Sequence, residues 1–91
     1  MEKIILHRIV RTKNDKIMLV WGKQVSDKST SAKGYNEYIQ WSEDVEYFNK
    51  LEQNDFGKNI DANLGYSEPN FDGKCSLIIK ELIVNGKSIK F

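Results

Sequence analysis

The sequence predicts a mainly β domain with a single helix. β-Branched and aromatic residues alternate with polar ones in several short segments, and turn-forming Gly, Asn and Asp residues separate these segments. One acidic segment in the middle of the chain instead carries apolar residues at helical spacing. A length of 91 residues with apolar residues spread throughout fits one domain, covering 1–91, with its own core.

The first half of the chain begins with two predicted strands. Residues 3–12 are rich in β-branched side chains, and an Asn14-Asp15 turn signal leads into a returning strand over 16–23. Both faces of this second strand are apolar, so its pattern does not decide which way Trp21 points. On the first strand, one face is expected to carry Ile5, His7 and Ile9, and the other Leu6, Arg8 and Val10.

A Ser/Thr-rich segment over 26–34 separates the second strand from a third over 35–41. A loop of this length in a small domain is typical of a functional segment. We expect Ile39 and Trp41 on the third strand to face the core, and a ligand-facing Trp41 is the alternative. Tyr38 has polar neighbours on its own face, and its pattern is compatible with burial or exposure.

An acidic helix of about three turns is predicted after the third strand. Ser42 is the expected N-cap, and two acidic residues follow it in the first turn, where the helix dipole favours negative charge. Val45, Phe48 and Leu51 fall on one face of this helix and are expected to pack against the core.

Two further strands and a short terminal strand are predicted in the second half. Residues 59–66 alternate cleanly, and residues 75–84 form the longest apolar strand. Asn85-Gly86 is a strong signal for a type I′ hairpin turn, so residues 87–91 are expected to fold back on the preceding strand.

The predicted order is strand, strand, strand, helix, strand, strand. This is the order of a small five-stranded barrel of the OB type, here with a short C-terminal strand added. In that barrel the face of the second and third strands and the loops beside it bind oligonucleotides. The pattern alone leaves open whether the strands close into a barrel or form an open sheet packed on one helix.

Charge is distributed unevenly along a chain whose formal net charge is +1. Residues 1–41 carry eight basic and four acidic side chains, whereas residues 42–72 carry two basic and eight acidic ones. Such segregation can build one positive face, and a local positive field attracts a polyanion. The alternative is that the acidic residues solvate a helix and the lysines protect strand edges from pairing.

Neither a catalytic site nor a metal site is predicted. His7 is the only histidine and Cys75 the only cysteine, so a zinc site of the usual composition and an internal disulfide are both excluded. Gly86-Lys87-Ser88 resembles the end of a phosphate-binding loop, but Glu81 stands where the first glycine is required. We therefore expect neither enzymatic activity nor a cofactor. The single cysteine and the short apolar run at the N-terminus lead us to expect a cytoplasmic protein.

Aromatic and basic residues of the first half form the predicted binding site. Single-stranded nucleic acid is bound by aromatic rings on which bases stack, flanked by cations that contact the phosphates. The predicted stacking residues are Trp21, Tyr35 and Tyr38. The predicted phosphate contacts come from the first two strands and the 26–34 loop, and are Arg8, Arg11, Lys23, Lys28 and Lys33. Burial in the core is the alternative for each aromatic residue, because a small domain needs large side chains inside.

The second half carries a specific succession of strand and turn. Residues 57–66 are extended, and Phe71 and an Asp72-Gly73 turn follow them. Residues 76–84 then have the form Ser-Leu-x-Ile-x-x-Leu-x-Val. This succession resembles the ending of small phage and mobile-element single-stranded DNA-binding proteins of the OB type, such as the filamentous-phage helix-destabilising proteins. The resemblance implies a homodimer or a cooperative array that coats single strands in phage or mobile-element DNA replication or recombination.

These observations support two main hypotheses. The first is sequence-nonspecific binding of single-stranded DNA, with RNA as a possible ligand, through stacking aromatics and a basic loop between the second and third strands. The alternative is a small protein–protein interaction module, such as a phage-type inhibitor or adaptor, that uses the same aromatic surface. Polyanion binding weakens steeply with salt, whereas an aromatic protein interface depends less on it. A third reading is a structural subunit that pairs through exposed strand edges.

Overall fold

The computed structural model describes residues 1–25 and 33–91, which contain six strands, one short α-helix and one short 3-10 helix. The strands are β1 (Glu2–Arg11), β2 (Ile17–Gln24), β3 (Tyr35–Ser42), β4 (Asn59–Tyr66), β5 (Leu77–Val84) and β6 (Lys87–Lys90). The helix α1 (Glu46–Lys50) and the 3-10 helix (Gln53–Asp55) lie between β3 and β4. The mainly β class is therefore confirmed.

The six strands form one antiparallel sheet in the order β3-β2-β1-β4-β5-β6. Consecutive connections join β1, β2 and β3, and β4 returns through the helical segment to lie beside β1, which is a Greek-key arrangement. The edges of the described sheet are β3 and β6. The hydrogen-bonded sheet is thus open and six-stranded, and it is not closed into the predicted five-stranded barrel.

Two irregularities interrupt the alternation of faces expected from the sequence. The register between β1 and β2 shifts between Leu6 and Arg8, and as a result Leu6 and Ile9 both contribute to the core. A second shift in the β4–β5 pair places Ile79 and Leu82 together in the core. Each shift inserts an extra residue into one strand, which reverses the faces of the residues that follow.

The core lies on one face of the sheet, which we call the inner face. Its side chains of lowest exposure come from four strands, β1, β2, β4 and β5: Ile4, Leu6, Trp21, Ala62, Ile79 and Leu82. Tyr47 of α1 and the following Leu51 are buried against this cluster. The helical segment therefore covers the inner face, and Leu51 is the residue of the predicted apolar stripe that is buried there.

The helix itself is shorter than predicted. It has five residues, and Ser42 is not its N-cap, because the helix begins at Glu46 and its N-cap position is Val45. The Ser42 Oγ accepts a hydrogen bond from the Asp44 N–H at 3.1 Å, ahead of the helix. Tyr47 is its buried residue, whereas the predicted core residue Phe48 is 39% exposed. The helix ends at the extended residue Leu51. One turn of helix has too few residues to form the predicted apolar stripe.

A polar side chain connects two strands that are distant in the sheet. Gln40 of β3 donates its Nε2–H to the Ile79 carbonyl at 3.0 Å and accepts the Ile79 N–H with its Oε1 at 2.7 Å. Ile79 lies before Glu81, the residue at which β5 begins to pair with β6. The Gln40 amide thus takes the place of a neighbouring peptide group, and the sheet curves so that β3 approaches β5.

Candidate nucleic-acid interface

Exposed aromatic residues lie on the face of β2 and β3 that points away from the core. Trp41 pairs with Met18 and Ile39 pairs with Val20, and directly opposed residues of antiparallel strands share a face. Leu19 and Trp21, which alternate with Met18 and Val20 along β2, belong to the core. Met18 and Val20 therefore lie on the opposite, outer face, together with their partners Trp41 and Ile39. We call the surface formed by Met18, Val20, Tyr35, Ile39 and Trp41 the outer patch.

The outer patch exposes three large side chains of β3. Tyr35 is 49% exposed, Ile39 58% and Trp41 59%, although all three belong to a regular strand. Val20 is buried beneath them and Met18 is half-buried. Exposed large apolar side chains grouped on one face of a small domain are typical of a binding site.

The prediction that Ile39 and Trp41 face the core is wrong. The alternate set on β3 faces inward instead, because Tyr38 stacks on Trp21 with ring centroids 4.6 Å apart. Gln40 also faces inward and can be buried, since both ends of its amide are hydrogen-bonded to Ile79. Two specific inward contacts therefore fix the face of the whole strand.

The predicted stacking residues are divided between the two faces. Trp21 has no exposed surface, and its indole N–H has no hydrogen-bond partner among the described residues. Tyr38 is half-buried against it. Only Tyr35 of the predicted three presents its ring on the outer face. Trp41 is the aromatic residue of this face that the sequence prediction missed.

The predicted basic residues are also dispersed. Arg8 pairs with Val20 and is exposed at the border of the outer patch. The Arg11 guanidinium is engaged by Asp15, with its Nη2 2.9 Å from Oδ1. Lys33 is exposed, whereas Lys28 lies outside the described residues. Arg8 is therefore the predicted cation that the described structure brings to the patch.

Lys23 lies elsewhere, at one end of the inner face. Its Nζ is 2.8 Å from the Glu2 carboxylate. The hydrogen bond to Glu2 raises the pKa of the Lys23 ammonium above its ordinary value. Burial of Lys23 lowers this pKa and offsets part of the rise. A lysine held in this way is a less available phosphate ligand than a free one.

A cleft opens beside Trp41 at the end of β3. It has a volume of about 550 Å³ and is lined by Thr12, Asn14, Lys16, Trp41, Ser42 and Glu43. One wall is the β1–β2 turn, in which the Thr12 N–H donates to the Lys16 carbonyl at 2.8 Å. The Lys16 N–H donates in return to the Thr12 Oγ1 at 3.1 Å. We call this feature the Trp41 cleft.

The β4–β5 connection presents further aromatic surface. Tyr66 is 68% exposed, and the Phe71 side chain is fully exposed. The loop around Phe71 is ordered by Asn70, whose Oδ1 accepts the N–H groups of Asp72 at 2.9 Å and Lys74 at 3.0 Å. This ordered loop carries the Phe71 and glycine turn on which the resemblance to single-stranded DNA-binding proteins is based.

No family model, curated protein or solved structure matches the chain. Across residues 1–25 and 33–91, no three His, Cys, Asp or Glu side chains are grouped closely enough to hold a metal ion. No helix in this part of the chain is long and apolar enough to cross a membrane. Function must therefore be inferred from the outer patch and the features next to it.

Proposed function

We propose that the protein binds single-stranded DNA without base-sequence preference through the outer patch. The observation that supports this proposal most is the exposure of Tyr35 and Trp41 on the same face of one strand. Each base stacked on an aromatic ring contributes about 1–3 kcal/mol, and every base can stack. The two rings are six residues apart on β3, about 20 Å, which leaves room for several nucleotides between them.

The strand order supports an OB-like fold, which we include in the proposal. OB folds are partly open Greek-key barrels whose second and third strands bind oligonucleotides. In this chain β1 to β4 have the Greek-key order, and the outer patch lies on β2 and β3. We propose that the Gln40–Ile79 contact takes the place of a β3–β5 ladder, leaving a barrel with a seam.

Basic residues near the patch supply the phosphate contacts in this proposal. Arg8 borders it, Lys16 lines the Trp41 cleft, and Lys33 precedes β3. Glu37 lies on the same face as Tyr35 and opposes the approach of phosphates. With about three phosphate contacts, the slope of log affinity against log salt is expected to be about −2 for a single strand.

The proposal extends to the role that the sequence resemblance implies. The protein would coat single strands during phage or mobile-element DNA replication or recombination, as a homodimer in the cytoplasm. RNA is an alternative ligand for the same surface, since stacking and phosphate contacts are common to both nucleic acids.

A labelled oligothymidine, titrated at two salt concentrations and followed by anisotropy, tests the proposal. Binding should weaken at the higher salt, and Arg8→Ala should lower the affinity and reduce the salt slope by about 0.7, the value for one phosphate contact on a single strand. Lys58→Ala is the matched control, because it removes the same charge from an exposed position just before β4. Absence of binding at low salt would exclude the proposed function.

A protein-interaction module is the second candidate function, and the aliphatic part of the outer patch favours it. Ile39 is as exposed as Trp41 and lies above Val20, and aliphatic side chains offer no ring for stacking. An apolar centre surrounded by polar residues is also typical of protein interfaces. Capture of a protein partner that Ile39→Asp abolishes, together with no oligonucleotide binding at low salt, would establish this alternative.

A further inference from the structure

We propose that the Trp41 cleft binds one unpaired nucleobase, which stacks on the Trp41 indole while the β1–β2 turn contacts its edge. This inference rests on the proposed function, but it assigns a particular base site that the general surface does not require. The cleft volume of about 550 Å³ lies in the range of small-ligand sites and accommodates a nucleobase with its sugar.

The apolar wall of the cleft is the Trp41 ring. It is 59% exposed and is carried by a regular strand next to the half-buried Met18. Met18 is paired on its other side with Val10, so the indole belongs to a row of apolar side chains across three strands. A ring supported in this way offers a flat surface on which a base can stack without ordering a mobile side chain.

The polar wall offers hydrogen-bonding groups at the level of a base edge. Asn14 carries both a donor and an acceptor in one amide, and no described residue hydrogen-bonds to its side chain. Ser42 and Thr12 accept backbone N–H groups with their hydroxyl oxygens, which leaves each hydroxyl hydrogen available to donate. Asn side chains pair with base edges through two hydrogen bonds at once.

Charge in the cleft favours a particular class of base. Lys16 can contact the phosphate attached to the bound nucleotide, whereas the Glu43 carboxylate offers hydrogen-bond acceptors. Carboxylates accept hydrogen bonds from the exocyclic amino group of cytosine, and Asn pairs with the amino edge of adenine. We therefore expect this one position to hold cytosine or adenine in preference to thymine, while the rest of the outer patch binds the strand without sequence preference.

The turn that forms the polar wall is preorganised. Besides the Thr12–Lys16 hydrogen bonds, Arg11 holds Asp15 through its Nε at 3.1 Å and its Nη2 at 2.9 Å. Asp15 itself has a positive φ of 57°, the left-handed conformation typical of Asp and Asn in turns. Binding a base here requires little ordering of the turn, so stacking is not offset by a large entropic cost.

The test compares oligocytidine with an abasic oligomer of the same length and number of phosphates. By anisotropy at one low salt concentration, wild type should bind the abasic oligomer at least about 5- to 150-fold more weakly, which is the factor for one stacked base, because the base on Tyr35 is lost as well. Trp41→Ala should lose about 5- to 150-fold in affinity for oligocytidine, the factor for the single base in the cleft, and Trp41→Phe should lose less. Glu43→Gln should reduce the preference for oligocytidine over oligothymidine.

Intrinsic fluorescence assigns the signal to one indole. Oligocytidine should quench wild-type fluorescence, but not that of Trp41→Phe, whose remaining Trp21 is buried. Should Trp41→Ala fail to fold, Asn14→Ala on the exposed turn tests the same cleft and should also weaken binding to oligocytidine.

Three outcomes would overturn the inference. Equal affinities for oligocytidine and the abasic oligomer, with no effect of Trp41→Ala, would leave phosphate-driven DNA binding intact but exclude a base in the cleft. No binding of either oligomer at low salt would exclude the proposed function as well. A change in Trp41 fluorescence with protein concentration alone, unaffected by oligonucleotide, would show that a second copy of the chain fills the cleft.

Discussion

The outer surface of the sheet has two halves of different character. In the β4–β6 half, the Glu81 carboxylate accepts hydrogen bonds from Asn63 Nδ2 at 2.6 Å and from the Ser88 hydroxyl, which links three strands. Nearby, the Lys3 Nζ lies 2.6 Å from Asp61. In the β1–β3 half, the outer patch exposes rings and aliphatic side chains instead. The first of these surfaces satisfies its own polar groups, whereas the second leaves apolar area in water and is the half expected to bind a partner.

Among the substitutions that test this comparison, replacement of a tryptophan is expected to change the free energy of unfolding most. Trp21 is fully buried and stacks on Tyr38, so Trp21→Ala should lower the free energy of unfolding by about 3–5 kcal/mol. Because small domains are stable by only about 5–15 kcal/mol, this is a large share of the total. Urea unfolding followed by circular dichroism measures it independently of indole fluorescence.

Trp41→Ala is the matched control for that experiment. It removes the same side chain from the outer face, where more than half of the Trp41 surface is already in water. The free energy of unfolding should therefore change by no more than about 0.5 kcal/mol. A large loss for Trp41→Ala would mean that the outer patch is structural and that its aromatic residues are not free to bind a ligand.

A smaller loss of stability is expected from replacement of Gln40, the side chain that joins the two halves. Gln40→Ala removes both hydrogen bonds to Ile79 and leaves a buried N–H and carbonyl without these partners. The expected loss in free energy of unfolding is about 1–3 kcal/mol. The Ile79 amide should also exchange its hydrogen faster than in wild type. Gln24→Ala, at an exposed position of β2, should leave both measurements unchanged. Unchanged stability in Gln40→Ala would indicate that the curvature of the sheet does not depend on this contact.

The positions of the strands could be predicted because their signals are local. The Asn85-Gly86 turn is an example, since the φ angles of 52° and 79° at its two residues are those that its sequence predicts. The limits of β4 were equally accessible from alternation over residues 59–66. Hydrophobic periodicity and turn chemistry act within a few residues, so a single sequence contains them.

The face of β3 could not be predicted because distant contacts decide it. The alternation of β3 divides its residues into two sets, one for each face. Because tryptophan is a typical core residue, Trp41 favours burial of its own set, although the fold buries the other. The inward set is chosen by Tyr38 stacking on Trp21 and by Gln40 binding a strand 39 residues further along the chain. Burial of the polar Gln40 in place of Trp41 is favourable only when the Ile79 backbone is present to satisfy it. For this reason the tryptophan exposed at the candidate site is Trp41 and not the predicted Trp21.

The smallest expected effect is the pH dependence of stability in the β4–β6 half of the sheet, which we call the polar half. Hydrogen bonds from Ser88 and then Asn63, with the charge of Lys90, lower the pKa of Glu81 below its ordinary value of 4.5. A carboxyl group whose pKa is lower in the folded state stabilises the fold above its unfolded pKa, and this contribution is lost as the pH falls through the folded pKa. Glu81→Gln should therefore be less stable than wild type at neutral pH, and the difference should shrink below pH 4.5.

Urea midpoints measured for both proteins over a series of acidic pH values test this prediction. The effect should be modest because Glu81 lies at the surface, where solvent screens its interactions. Glu68→Gln, in the exposed β4–β5 turn, controls for the loss of a carboxylate outside the Asn63–Ser88 network. A difference between wild type and Glu81→Gln that stays constant or grows with acidification would mean that ionised Glu81 does not hold the three strands together. The polar half would then owe its order to its backbone pairing alone, and the contrast with the outer patch would rest only on the exposed side chains of β3.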